Sequence, residues 1–241
     1  NHRVGQEAHH QLRPVEFHQL DGGPGEAGGG ERLGFRVHLG LGIPHPEGLA
    51  GAQRDQLPRL GQAGRSGPEC MRELFQRELP DDEAWALIQQ KEAAYRELFA
   101  PVFTEVTGFR AFAAQAMARG HKVGVGTAGD RHNIEFVFRH LAMTPPPHAV
   151  VGGDEGLPGK PEPAIFLEVA RRLGADPAQC VVFEDAPFGI EAARRAGMRA
   201  VAVCTGHTAA ELDGPHVMAH IRNYHELLNT DFLETLHAAT A

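Results

Sequence analysis

The hydrophobic and polar positions of this chain change rhythm twice. From Pro68 to Leu79, Met71, Leu74, Phe75 and Leu79 recur with the spacing of one helical face. From Asp81 to Phe99, Trp85, Ile88, Tyr95 and Phe99 form a second apolar stripe. Asp81 and Asp82 open that stretch, where carboxylates suit the positive end of a helix, and Pro101 closes it. The two stretches predict an αα-hairpin. From Thr107 onward the pattern alternates. Helical periods run through FRAFAAQAMARG, HNIEFVFRHL (Ile134, Val137, Phe138 and Leu141 on one side), PAIFLEVARRLG and FGIEAARRAG. Between them lie the short apolar runs KVGVG, AVVGG, CVVF and RAVAV. Strand and helix in alternation predict a parallel sheet with helices on both faces.

Residues 1–63 show no such period. They carry 13 of the 29 glycines and 6 of the 15 histidines and read as loop. The segment nearest to a strand is VEFHQLDGG, Val15 to Gly23, which His18 and Gln19 interrupt. His9 and His10 lack partners at metal-ligand spacing and read as solvated side chains.

Composition narrows the partners. The chain has 241 residues and a net charge of −8, which argues against nucleic acid as the main partner. A small phosphorylated ligand needs only local positive charge and stays open. No apolar run reaches the roughly 18 residues of a membrane span, and the N-terminus lacks the pattern of a signal peptide. Cys70, Cys180 and Cys204 form no CxxC pair, so reduced thiols in a cytoplasmic protein are expected. All but three of the 23 basic residues are arginine, and one of the lysines, Lys160, sits in a Gly-Lys-Pro turn.

Ligands of open parallel sheets bind beyond the carboxyl ends of the strands. Thr127, Ala128, Gly129 and Asp130 follow KVGVG, Lys160 follows the AVVGG strand, and Glu184 and Asp185 follow CVVF. A hydroxyl and backbone N–H groups can cradle phosphate oxygens. A lysine can neutralise phosphate. Two adjacent carboxylates repel each other unless a cation such as Mg²⁺ joins them. Each feature alone is compatible with an ordinary turn; three of them at three strand ends point to one site.

From Gly64 on, the chain resembles the haloacid dehalogenase-like superfamily of aspartate-nucleophile phosphohydrolases, nearest the β-phosphoglucomutase and phosphatase subgroup. VGVGTAGD resembles its second motif, GKPEP its third and VVFEDAPFGIEAARRAG its fourth, while GRSGPECMRELF resembles the first helix of its cap. The resemblance implies a doubly wound α/β core over 104–241, with an inserted helical cap over 30–103 that closes on the site. Residues 1–29 would supply the first core strand. It also implies Mg²⁺-dependent phosphoryl transfer through an aspartyl-phosphate. Thr127 and Ala128 would hold phosphate, Lys160 would bind phosphate and serve catalysis, and Asp185 and Glu184 would hold the metal. Arg65 and Ser66, and His132 after the second motif, are candidate substrate contacts. The substrate would be a small phosphorylated metabolite such as a sugar phosphate. Phosphatase and mutase share this core, and oligomeric state is left undetermined.

The family's first motif, Asp-x-Asp-Gly after a strand, has no match in residues 1–63. Leu20-Asp21-Gly22 comes nearest, with Asp21 in the acid/base place, where it would also join the metal, and Gln19 in the nucleophile's place. Three readings stand together: a frameshifted gene, a catalytically inactive relative that still binds phosphate or a partner, and Asp21 as nucleophile in a rearranged loop.

Overall fold

The computed structural model describes residues 34–37, 71–72, 74–228 and 230–238. The chain divides into two compact units. The described part of the first is 71–72 and 74–104; that of the second is 34–37, 105–228 and 230–238.

The first unit is built on helix α1, Asp81–Phe99. Asp81, Asp82 and Glu83 fill its first turn and Arg96 its last, so both ends complement the dipole. A 3₁₀ turn with Pro101 ends it. Met71, Leu79 and Ala84 form a small buried cluster, and Tyr95 stacks on Phe99 at 5.3 Å. Ion pairs Arg72–Asp81 and Arg77–Glu83 tie the preceding segment to the helix start. The helix expected over 68–79 stops short: Gln76 has φ 51°, in the left-handed region, and Leu74 and Phe75 are exposed. Trp85 is also 52% exposed, so the expected apolar stripe is only partly covered by the described residues.

The second unit is a six-stranded parallel sheet, in spatial order β3-β2-β1-β4-β5-β6. The strands are β1 Gly34–Val37, β2 Val123–Gly126, β3 Ala149–Val151, β4 Cys180–Glu184, β5 Arg199–Val203 and β6 Val217–Ile221. The helices are α2 Phe109–Ala118, α3 Arg131–Leu141, α4 Ala164–Leu173, α5 Pro187–Arg195, α6 His225–Leu228 and α7 Phe232–Ala238. The doubly wound α/β class expected from the alternation is the observed one. Two elements differ from the expectation. The first strand lies at Gly34–Val37, inside the 30–103 stretch read as cap, and pairs with both β2 and β4. The Val15–Gly23 candidate lies outside the described residues, as do Asp21, Arg65 and Ser66. The edge strand β6 went unread because its VMAHI burial is partial and gives no clean apolar run.

Period-two alternation splits β4 between two cores. Cys180 and Val182 pack with Ile165, Phe166 and Val169 of α4 and Ile190, Ala192 and Ala193 of α5. Phe183 points the other way, with its ring 5.5 Å from Phe112, 5.6 Å from Tyr224 and 6.2 Å from Phe232. On the α4 side, a Cβ at Gly124 would lie 2.5 Å from Val169 Cγ1, so β2 carries glycine where the helix presses closest. Phe183→Ala is expected to cost about 3–5 kcal/mol, read as a lower urea midpoint with m unchanged, since it empties the centre of the aromatic cluster.

Candidate functional site

Val37 of β1 pairs with Val125 on one side and Phe183 on the other. Thr127 and Asp185 each lie two residues beyond those partners, on the strands that flank β1. At about 4.8 Å per strand spacing, some 10 Å of sheet edge separates them. The site is built on this carboxyl edge.

Three contacts brace the β2 loop from the end of β3 and the segment after it. The Thr127 N–H donates to Val151 O at 3.0 Å, the Gly153 N–H to Gly129 O at 2.9 Å and the Arg131 N–H to Asp154 Oδ2 at 3.2 Å. A Cβ at Gly153 would fall 2.2 Å from Ala128 O, so only glycine permits this approach. Thr127 is fully buried and its Oγ1 accepts the Gly129 N–H at 3.0 Å, while Ala128 is exposed. Asp130 is the N-cap of α3, accepting the Asn133 N–H at 2.9 Å. Exposed His132 stands 3.9 Å from Asp130 Oδ2. Sequence reading missed the bracing by Gly153 and Asp154; the signal was the Gly-Gly-Asp after an apolar strand.

Lys160 and the acidic pair come together. Lys160 Nζ lies 2.8 Å from Glu184 Oε2, with the side chains 12% and 2% exposed. The ammonium also sits 4.8 Å above the Phe166 ring. The other oxygen of Glu184, Oε1, accepts the Ala186 N–H at 3.2 Å. Asp185 is 4% exposed, and its main-chain carbonyl lies 2.9 Å from His207 Nδ1. Ile190 enters the core, whereas Phe188, in the first turn of α5, is 45% exposed.

Helix α5 is shaped to admit Glu184. A Cβ at Gly189 would lie 2.0 Å from Glu184 Cδ, so the first turn of the helix has room for the carboxylate only because residue 189 is glycine. The same helix reaches back to the lysine loop through Arg195, whose Nη1 lies 2.8 Å from Glu162 Oε1. Glu191 joins Arg194 and Arg195, and these two guanidinium hydrogen bonds lower its carboxyl to about 2.

The donor chemistry suits a hard cation. Two adjacent carboxylates, Glu184 and Asp185, share the edge with one ammonium, Lys160, which contacts Glu184, so the formal charge of these three groups together is negative. Oxygen donors of this kind fit Mg²⁺, which keeps several waters and takes only one or two carboxylates. Among the described residues no cluster of three or more His, Cys, Asp or Glu side chains forms a complete protein cage.

Two changes test this geometry. Gly189→Ala is expected to displace the Glu184 carboxylate from Lys160 and to cost about 1–3 kcal/mol in denaturant unfolding. Glu191 has a folded pKa depressed from 4.5 to about 2. Its stabilising effect is therefore present above about pH 4.5 and is lost as pH falls toward 2. Melting curves of wild type and Glu191→Gln are expected to differ slightly at pH 7 and to converge over that acid range.

Comparisons with known proteins agree with the fold and the motifs. The family model for haloacid dehalogenase-like hydrolases matches residues 29–197, well over half of the chain. A fructose-1-phosphate phosphatase of Escherichia coli is 48% identical over 81 residues, 34% of this chain and 43% of that protein. The β-phosphoglucomutase of Bacillus subtilis is 39% identical over 88 residues, 36% of this chain and 39% of that one. The chain thus spans about two fifths of the length of these curated relatives. Among solved structures, a family IA hydrolase of Entamoeba histolytica superposes with TM-score 0.63 at 23% identity, over 79% of this chain and 84% of that one. A Clostridium difficile β-phosphoglucomutase gives 0.61 at 21%, over 73% and 79%. With its parallel sheet, its three strand-end motifs and the match over 29–197, the chain belongs to the haloacid dehalogenase-like hydrolases.

Proposed function

We propose that this chain carries out phosphoryl transfer on a small phosphorylated metabolite, as a phosphatase or phosphomutase. The observation that carries the reading is the juxtaposition of Lys160 with Glu184, 2.8 Å apart, beside Asp185 on the sheet edge that also carries Thr127. Thr127 and the Ala128 loop would receive the phosphate oxygens, and Lys160 would offset their charge. Asp185 would hold Mg²⁺, with Glu184 next to it and linked to Lys160. When bound, the cation would neutralise charge developing on the transferring phosphoryl group. Asp21, outside the described residues, is the proposed motif-one carboxylate, serving transfer through an aspartyl-phosphate and joining the metal. The helical unit, with Arg65 and Ser66 in the segment before it, is proposed as the part that selects substrate. Two relatives are named for phosphorylated sugars, which supports a sugar phosphate as substrate.

A second reading has its own support. No Asp-x-Asp pair occurs in residues 1–63, which favours a chain that binds phosphate without turnover. The test is phosphate release and isomer interconversion over a panel of sugar phosphates, with and without Mg²⁺. Mg²⁺-dependent turnover is expected, and Asp185→Asn should reduce it by about a hundredfold or more. Turnover equal in Asp185→Asn and wild type would overturn the catalytic reading. Saturable vanadate binding with no turnover at all would establish the second one.

A further inference from the structure

We propose that His207 is a positioning residue for Asp185: its ring N–H holds the Asp185 main-chain carbonyl and so sets how the Asp185 carboxylate meets a divalent cation. The proposal rests on the metal role assigned to Asp185 above.

His207 Nδ1 lies 2.9 Å from Asp185 O, across 22 residues of sequence. A carbonyl oxygen only accepts, so Nδ1 carries the hydrogen of this contact. Asp185 falls between the end of β4 and the start of α5. The first carbonyl to serve α5 is that of Ala186, which accepts from Gly189 N at 2.9 Å and Ile190 N at 3.1 Å. The Asp185 carbonyl therefore sits in a gap between ladder and helix while its residue is 4% exposed, and a buried carbonyl needs a donor. The imidazole supplies one.

The loop that carries His207 is pinned on both sides of it. Before it, the Cys204 N–H donates to Ile221 O at 2.6 Å. After it, Thr208 N and Oγ1 each lie 2.8 Å from Glu211 Oε2, and the Glu211 N–H returns to Thr208 O at 3.1 Å. Leu212 is fully buried in the core that α4 and α5 share. A loop held at these points presents its imidazole in one place, and the acidic turn inherits that placement. Glu184 already has Lys160, the Ala186 N–H and the Gly189 gap to fix it. For Asp185, His207 is a support of the same kind, and it comes from the neighbouring strand's loop.

The test compares His207→Phe, which keeps the ring and removes the donor, with His207→Asn, whose amide can replace it. Mn²⁺ affinity is read by electron paramagnetic resonance, and amide exchange of the 183–190 segment is read in the metal-free protein. His207→Phe is expected to bind Mn²⁺ about tenfold more weakly and to exchange faster in that segment, with His207→Asn returning both toward wild type. His207→Ala takes the place of the Phe variant if that one fails to fold. Loss of Mn²⁺ binding in Asp185→Asn together with wild-type affinity in His207→Phe would overturn this proposal alone. Equal binding by wild type and Asp185→Asn would overturn the metal role of Asp185 and this proposal with it. A His207→Phe defect that His207→Asn leaves uncorrected would also overturn it.

Discussion

Glu184 ends a strand that is buried along its whole length, and it is followed at once by a second buried carboxylate. That concentration of charge has to be met, because an unpaired buried ion costs several kcal/mol in a folded protein (on the order of 3–5 when a partner is removed). Lys160, 24 residues earlier in the chain, meets it at 2.8 Å. The ammonium is itself held over Phe166, so the pair rests on the helix that follows its own loop. One contact thus couples the loop after β3, the end of β4 and the start of α4.

Glycine makes that contact geometrically possible. Gly189 leaves room for the Glu184 carboxylate against α5, and Gly153 lets the loop after β3 lie directly on Ala128. In both places neighbouring atoms would stand closer than 3 Å to any Cβ: backbone atoms of Ala128 at Gly153, and at Gly189 the Glu184 side chain, which would have to move aside. The sheet edge is therefore a set of close approaches, with the candidate site side chains carried on them. Rigid support of this kind is what a phosphate and cation site needs, since catalysis by positioned charge falls off when the charges can drift.

The helical unit obeys a looser constraint. Its described buried cluster is Met71, Leu79 and Ala84, with Leu87 and Ile88 packed against it. Trp85 and Leu98 remain exposed among the described residues. Its helix is defined mainly by local features: the acidic first turn, the absence of glycine and proline over 19 residues, and the proline that ends it. Such features survive with little tertiary packing, which is why α1 could be read from the amino acids with both ends placed at Asp81 and Phe99.

Local regularities were enough for the parallel α/β class, for β2 to β5 and for the candidate residues in the loops that follow them. A short apolar run between amphipathic helices leaves few other arrangements, and Thr127, Lys160, Glu184 and Asp185 stand where each run stops. The four residues of β1 were beyond that kind of reading. Gly-Phe-Arg-Val is too short to show a period, and its place in the sheet comes from pairing with β2 and β4, which lie far off in sequence. The same holds for the partners of the site. That Lys160 meets Glu184 through one oxygen, that His207 meets the Asp185 carbonyl and that Arg195 meets Glu162 are contacts between loops brought side by side by strand order. Periodicity reports which face of its own element a residue occupies. It carries no information about which other loop arrives there, and that is settled only when the sheet closes.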